Sequence, residues 1–490
     1  MRDWLIHLNR TEFSSLQSQI REALVSAILD RKLDQSEPIP STRKMAKSLS
    51  VSRNTVVLAY QGLLDDGYLV ARERSGYYVA DKAIEDTATI VRPVTAKPKN
   101  ASATDVSRHF KTRPSRQENN SKPLNWQEFA YPFIYGQVDH TLFPLAEWRE
   151  CTRQALGKKW LGSWTNDSWE HDDPLLVEQI RRRILPRRGI MASDDEILIT
   201  LGAQNALYLL TGLLVDQGSK VGMEEPGYTD ARNMFRLKTH AVKLLPVDEK
   251  GLVVSSAMDG LDLVFTTPSH QFPTTVTMPL ERRMALLKKA HEQDFLIIED
   301  DYEFETNYVN EPCPALKSLD DDGRVIYVGS LSKTMFPGLR LGFLVGPKEL
   351  VAEARALRRL MVRHAPNNNQ RAAALFLSLG HHDTLIRRLH KSYRTRWEIM
   401  GKALADHLPM SSRNPSFGGT AYWVKGPSKL DSEVLYNAAL TKGIFIEPGR
   451  ITFGAANPPA NHFRLAFSSI DEKKIEPGIK LLAETIKALG

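Results

Sequence analysis

Only two cysteines, Cys151 and Cys313, occur in 490 residues, which excludes a disulfide-stapled scaffold, and neither has partners at metal-ligand spacing. No metal site is expected. Hydrophobic residues make up 42% of the chain, yet no apolar run approaches the roughly 20 residues needed to cross a bilayer. The opening MRDWLIHLNRTEF has no apolar stretch followed by a small-residue cleavage site. Together these absences predict a cytoplasmic protein with no membrane partner. Internal repeats are also absent. Charge of one sign is in short supply: the net charge is +7, and most of it is local. Residues 1–80 hold 11 Lys and Arg against 9 Asp and Glu, residues 81–125 hold 9 against 5, and the remaining 365 are close to neutral. A basic bias confined to the first quarter suits a phosphate-binding module tied to a larger neutral body.

What is present divides the chain, which is too long for one ordinary core. In SLQSQIREALVSAILDRKL, Leu16, Ile20, Ala23, Leu24, Ala27 and Ile28 recur at helical spacing and predict one apolar face. Pro38 and Pro40 end the connection, and Ser41 is placed to cap a second helix whose Met45, Ala46 and Leu49 face the first. A third helix starts near Ser52 and ends at Gly67, burying Val56, Ala59, Tyr60, Leu63 and Leu64. YLVARERSGYYVA then predicts two short strands around a basic turn with Ser75 and Gly76 at its tip. Three helices and a β-wing over residues 1–80 make a winged helix-turn-helix. Its candidate DNA contacts are Ser52, Arg53, Asn54 and Thr55 on the first turn of the third helix and Arg43 in the second. Arg72 and Arg74 add wing contacts, and Gly76 lets the tip approach the duplex. A docking module with a solvated basic face is the alternative reading.

From 81 to 125 periodicity stops and Pro, Lys, Arg, Ser, Thr and Asn dominate, so a flexible basic linker is expected there. From 126 to 490, helical stretches alternate with EILIT, KVGME, LDLVFTT, FLIIED, RVIYVGS and LGFLVG, which predicts an α/β domain on a largely parallel sheet.

Lys333, in Ser330-Leu331-Ser332-Lys333-Thr334 after RVIYVGS, is by itself only a lysine in a polar turn. Its companions change that reading. Arg340 follows in PGLRLGF, Asp300 and Tyr302 end FLIIEDDY, Gly202, Ala203 and Gln204 follow EILIT, and Tyr228 lies in EEPGYTD. Each falls at the carboxyl end of a predicted strand, where open α/β sheets bind ligands. The set matches what pyridoxal 5'-phosphate requires: an amine for the Schiff base (Lys333), a carboxylate for the pyridine nitrogen (Asp300) and a cationic phosphate cup. Arg340, Ser330, Ser332 and the amides of Gly202 to Gln204 would form that cup. Tyr228 is placed to stack on the ring and Tyr302 to meet its 3'-oxygen.

LQSQIREALVSAIL and then PSTRKMAKSLSVSRNTVVLAYQGLLDDGYLVARERSGYYV, a stretch of about 65 residues, closely resemble the GntR family of bacterial regulators. The order of the cofactor residues resembles fold-type I aminotransferases over about 126–485. The combination resembles the MocR/GabR subfamily over nearly the whole chain. This resemblance implies the role of effector-carboxylate ligand for Arg464 in HFRLAFSS, and a 3'-oxygen contact from His270 and Gln271 in PSHQFPT. It further implies a homodimer with exchanged DNA readers, and an amino-group effector that displaces Lys333 in an external aldimine. Asp230 stands where GABA-sensing members carry a second arginine, and FGGTAYWV and IFIEPGR are more like the subgroup sensing taurine or ectoine-derived compounds. An active aminotransferase with a DNA-targeting module is the alternative. Two departures stand out: EHDDPLLVEQI lacks a Gly usual before the Leu-Arg pair, and Thr275 replaces the usual Gly after Pro-Thr.

Overall fold

Serines punctuate the first unit. In the computed structural model, which describes residues 6–10, 14–73, 75–81, 105–119, 122–308, 313–409, 411–413 and 418–489, Ser15, Ser41 and Ser52 each cap a helix with a side-chain oxygen. The helices are α1 (Leu16–Leu29), α2 (Thr42–Leu49) and α3 (Arg53–Asp65). The wing is the antiparallel pair β1 (Leu69–Arg72) and β2 (Gly76–Val79). Ile20, Leu24 and Ile28 of α1 close a core with Met45, Ala46, Val56, Ala59, Tyr60 and Leu63. Leu64, expected in that core, is half-buried against its edge. The Tyr60 hydroxyl donates to Pro40 O at 2.8 Å, tying α3 to the turn before α2.

The chain divides into Met1–Phe110 and Lys111–Gly490. The join therefore falls within the stretch expected to be a flexible linker over 81–125. Residues 82–104, 120 and 121 of that stretch lie outside the described residues. Residues 111–119 and 122–125 are part of the large unit, where Gln117 Nε2 donates to Asn233 O (3.0 Å) and Asn233 Nδ2 to Glu118 O (2.8 Å).

The large unit is built on one eight-stranded sheet, with a short strand β3 (Tyr131–Pro132) ahead of it. In chain order its strands are β4 (Ile197–Thr200), β5 (Val221–Glu225), β6 (Val242–Asp248), β7 (Gly251–Leu252), β8 (Leu263–Thr266), β9 (Leu296–Asp301), β10 (Val325–Ser330) and β11 (Gly342–Val345). Their spatial order is β4-β11-β10-β9-β8-β5-β6-β7. Neighbours from β10 through β6 pair in parallel, and β11 is antiparallel to both β10 and β4. All six predicted apolar runs are strands of this sheet. The central ones are buried end to end, as expected when helices cover both faces. Strand β6 escaped the sequence reading because only Leu245 of its seven residues is buried, so it has no continuous apolar run.

A second sheet, of order β12-β13-β16-β15, holds β12 (Ser412–Arg413), β13 (Ala421–Lys425), β15 (Glu447–Pro448) and β16 (His462–Ala466). Strand β14 (Ile444–Phe445) lies apart from it, paired in parallel with β3. Between the two sheets lies the largest apolar cluster, which runs from Phe133 through Phe343 and Phe376 to Phe467. Buried ion pairs brace it: Asp172 meets Arg358 at 2.6 Å, and Asp173 meets Arg371 at 2.7 Å. These are the aspartates of EHDDPLL, so the departure from the family pattern is structural, with Asp173 capping the helix that starts at Pro174.

Candidate functional site

The carboxyl ends of β4, β9 and β10 open into a cavity of about 190 Å³. Its walls include Gly202, Ala203, Gln204, Tyr228, Asp300, Tyr302, Ser330, Ser332, Lys333 and Arg340. Residues expected from separate sequence segments are thus brought together.

Asp300 is the penultimate residue of β9, in its buried stretch, and its Oδ1 has no hydrogen-bond partner among the described residues. An orphaned buried carboxylate oxygen costs free energy unless a cation completes it, and a pyridinium nitrogen is such a cation. Burial, reinforced by Asp301, raises the Asp300 carboxyl to about 7, with Lys333 working against the shift. Asp301 behaves differently: burial opposes its charge, but Arg188 at 2.7 Å outweighs that and holds it below the carboxylate range. Tyr327 also donates to Asp301 at 2.9 Å. The second carboxylate is therefore structural, and of the two only Asp300 lines the cavity.

Lys333 lies in the turn after β10 with its Nζ 4.1 Å from the centre of the Tyr135 ring. Burial lowers its ammonium to about 8; Glu303 opposes the shift, while Lys122 and Arg464 add repulsion. A depressed lysine carries a larger neutral, nucleophilic fraction near neutrality.

The opposite end of the cavity is an anion cup. Gly202 caps helix α4 (Ala203–Leu214) at φ 82°, a conformation that glycine adopts without strain. A Cβ at Gly202 would stand 3.3 Å from Arg340 Nη2, so a side chain there would fill the cup. Arg340 Nη2 donates to Leu201 O at 2.9 Å, which fixes the guanidinium beside the first amides of α4. Those amides precede the helix's own hydrogen-bond ladder and are free to bind an anion. The orphaned Asp300 oxygen, the depressed lysine and this cup together fit pyridoxal 5'-phosphate.

Some expected contacts turn out differently. Gln271 does not line the cavity: its Nε2 donates to Glu224, Pro226 O and Phe272 O, and its Oε1 accepts from Thr274. His270 is buried away from the wall, and burial lowers its imidazolium value so that the ring is neutral. Thr267 and Phe272 take their place at the wall. Tyr302 lines the cavity, but its hydroxyl donates to His270 O at 2.9 Å. The Tyr228 hydroxyl donates to Asp230 (3.2 Å), which also accepts from Gln204 Nε2 (3.1 Å). Thr275 sits at φ 64°, keeping the left-handed turn that a glycine would make.

Arg464, to which the resemblance gives the effector's carboxylate, is not part of the cavity wall. Instead its Nε and Nη2 both donate to Glu447 Oε2, at 2.9 and 2.7 Å, and its Cζ lies 3.7 Å from the Tyr135 ring centre and 4.4 Å from that of Phe272. Lys122 Nζ lies 3.6 Å from the other oxygen, Glu447 Oε1, and also donates to Tyr135 O. Lys122, Tyr135, Gly136, Phe272 and Glu447 were missed by sequence reasoning. Lys122 lay inside the presumed linker, and Glu447 was visible only as part of IFIEPGR.

On the first unit, Arg43, Arg53, Asn54, Arg72 and Gly76 are exposed, while Arg74 lies outside the described residues. Ser52 and Thr55 are engaged locally, since Thr55 N–H donates to Ser52 Oγ at 3.1 Å and their hydroxyls are 2.8 Å apart. Arg72 lies 4.3 Å above the Tyr78 ring at the turn end of the wing, where it pairs with Gly76.

A winged-helix reader fused to a fold-type I aminotransferase unit defines the class: a pyridoxal-phosphate-dependent DNA-binding regulator. Residues 16–79 match the bacterial regulatory proteins of the gntR family, and residues 171–482 match aminotransferase class I and II. The chain is 44% identical to the HTH-type transcriptional regulator TauR of Rhodobacter capsulatus, over 96% of this chain and 97% of that one. It is 30% identical to the probable rhizopine catabolism regulatory protein MocR of Rhizobium meliloti, over 99% and 96%. Among solved structures, a Pyrococcus horikoshii kynurenine aminotransferase in complex with PMP matches at TM-score 0.72 and 28% identity, covering 79% of this chain and 99% of that one. The chain belongs to the MocR/GabR subfamily of GntR transcription regulators, and its cofactor is pyridoxal 5'-phosphate. No helix among the described residues is long and apolar enough to cross a membrane.

Proposed function

We propose that the large unit senses a small amine carrying an acidic group, and that this binding controls how the winged helix engages operator DNA. The observation that carries the reading is the convergence of Lys333, Asp300 and Arg340 on one cavity in a chain that also carries a DNA reader. Bound there, the cofactor supplies an electrophilic carbon that takes up amines reversibly and a ring that withdraws electrons. Asp300 holds the ring nitrogen protonated, Arg340 and the α4 amides hold the phosphate, and Tyr228 covers a ring face. Lys333 would be the cofactor's covalent anchor, and its depressed ammonium value favours the neutral amine that this role needs. Arg464 and Lys122 gather around Glu447 behind the Tyr135 side of the cavity, two cations to that one carboxylate, which favours an acidic group on the effector.

Taurine or an ectoine-derived amino compound fits better than GABA, because Asp230 is committed to Tyr228 and Gln204 and supplies no second guanidinium. Family membership supports a cytoplasmic homodimer with exchanged readers that binds two half-sites. Ligand binding shifts the equilibrium only if the effector prefers one conformation, since equal affinity for both shifts nothing. The test is to titrate the full-length, cofactor-loaded protein with taurine while following the visible band of the Lys333-bound cofactor. A saturable spectral change without sustained keto-acid-dependent turnover is expected. Rapid turnover would favour the enzyme reading.

A further inference from the structure

Arg464 lies behind the Tyr135 and Phe272 rings that line the cavity and is not itself part of the wall, and it already holds an acid. Both of its donating nitrogens engage a single oxygen of Glu447, and two aromatic rings lie against it. Glu447 in turn faces a second cation, Lys122, across 3.6 Å, longer than a hydrogen-bonded pair. Two cations share this one carboxylate, and the other buried carboxylate nearby, Glu303, acts mainly on Lys333, Tyr135 and Tyr302. Of the two cations, Lys122 is the more exposed, with 31% of its side chain accessible against 5% for Arg464, and besides Glu447 its Nζ also donates to Tyr135 O.

We propose that Lys122 is the residue that reads the effector's acidic group, and that it carries this contact into the segment leading to the DNA reader. The proposal rests on the amine-sensing reading above. Reach supports it. A Cβ built on Gly136 would meet Lys333 Nζ at 3.1 Å and Lys122 Nζ at 3.5 Å, so the two amines flank the same glycine. An amine seated beside Lys333 would have an acidic group one or two carbons away within reach of Lys122, while Arg464 stays with Glu447. Burial, with repulsion from Arg464, holds the Lys122 ammonium below its ordinary range, and Glu447 only partly restores it. A bound anion would complete the compensation.

The position of Lys122 in the chain gives this contact a second consequence. Just before it, residues 117–119 are docked on helix α5 (Thr229–Arg236) through Asn233, which donates to Glu118 O and to Asn119 Oδ1 (3.2 Å), while Gln117 donates to Asn233 O. Tyr228, at the cavity wall, caps this same helix. In this proposal a ligand held by Lys122 acts on that docked segment, which ends three residues before Lys122 in the chain.

The test compares wild type, Lys122→Met and Lys122→Arg, all full length and loaded with cofactor, titrated with taurine and with ethanolamine, which keeps the amine but lacks the sulfonate. An unchanged Lys333-bound cofactor band reports an intact fold and anchor in each variant. The expected result is a half-saturating taurine concentration raised about ten-fold or more in Lys122→Met and recovered to within about three-fold of wild type in Lys122→Arg, with ethanolamine unaffected within about two-fold, the ten-fold figure being the loss of one charge-assisted contact. Taurine should also alter hydrogen exchange over residues 111–125 in wild type and not in Lys122→Met at the same occupancy. Equal taurine titrations in wild type and Lys122→Met, or equal losses for both amines, would overturn the assignment of Lys122. Unchanged exchange over 111–125 in saturated wild type would overturn its link to the segment. A wild type that responds to neither amine would sink the sensor reading itself, and this proposal with it.

Discussion

Glu447 and Arg464 stand directly opposite each other on the antiparallel strands β15 and β16, and one carboxylate oxygen of Glu447 receives both Nε and Nη2 of Arg464. Burial opposes the charge on Glu447, yet Arg464 and Lys122 overcome it and hold its carboxyl below the usual range. Breaking a buried pair by removing one partner typically costs about 3–5 kcal/mol, because the other charge is left uncompensated. Glu447→Ala should therefore lower the denaturation midpoint of the cofactor-free protein markedly, and Glu447→Gln, which keeps a hydrogen-bond acceptor, less so. Because the folded value is depressed, the stabilisation from this group is full above the unfolded value of about 4.3 and is lost as pH falls through the lower folded value.

Asp300 predicts the opposite pH behaviour. Its carboxyl titrates at about 7 in the cofactor-free fold, against about 3.9 when unfolded. Between those values the folded state keeps a proton that the unfolded state has lost, so this group's contribution to stability falls as pH rises from about 4 to 7. Denaturation midpoints of cofactor-free wild type and Asp300→Asn across that range should diverge, the variant gaining relative to wild type as pH rises. Parallel curves would contradict the assigned burial. In the loaded protein the same variant should bind cofactor more weakly, read by the visible band.

In the DNA reader, two neighbours should separate. Arg53 is exposed on the first turn of α3, so Arg53→Ala should weaken operator binding by about 1–3 kcal/mol if it reads a base. Ser52 caps the same helix through Thr55 N–H, so Ser52→Ala should cost about 0.5–2 kcal/mol of stability in that unit. Gel-shift titration and thermal unfolding of both variants distinguish contact from cap.

Gly202→Ala tests the anion cup. Its φ of 82° and the 3.3 Å approach to Arg340 Nη2 leave a methyl group both strained and crowded. Cofactor affinity should fall more than the stability without cofactor, which should drop by about 1–3 kcal/mol, the cost of holding alanine at φ 82°, ψ 171°, a region essentially reserved for glycine. Equal losses in both would point to a structural role alone.

The sequence made the parts with strong local signatures legible. The serine caps and apolar spacing marked α1 to α3, and unbroken apolar runs marked the central strands. Lys333, Asp300 and Arg340 were readable because each stands at or just beyond the end of such a strand or the turn that follows it. What escaped depends on distant partners. Gln271 looked like a wall residue, but hydrogen bonds from it to Glu224 and Pro226 O turn it into a structural tie. Nothing in the polar stretch around Lys122 shows that it folds back to Tyr135 and to Glu447, the latter far along the chain. Pairing of Arg464 with Glu447 follows from strand register, which neither HFRLAFSS nor IFIEPGR specifies alone.

The most direct test of the central claim is operator binding by the full-length, cofactor-loaded protein with and without saturating taurine, for wild type and Lys333→Ala. The account predicts that taurine changes wild-type operator affinity by about five-fold or more, the lower end of typical coupling between sites, and leaves Lys333→Ala unchanged. An equal taurine response in both proteins would contradict it.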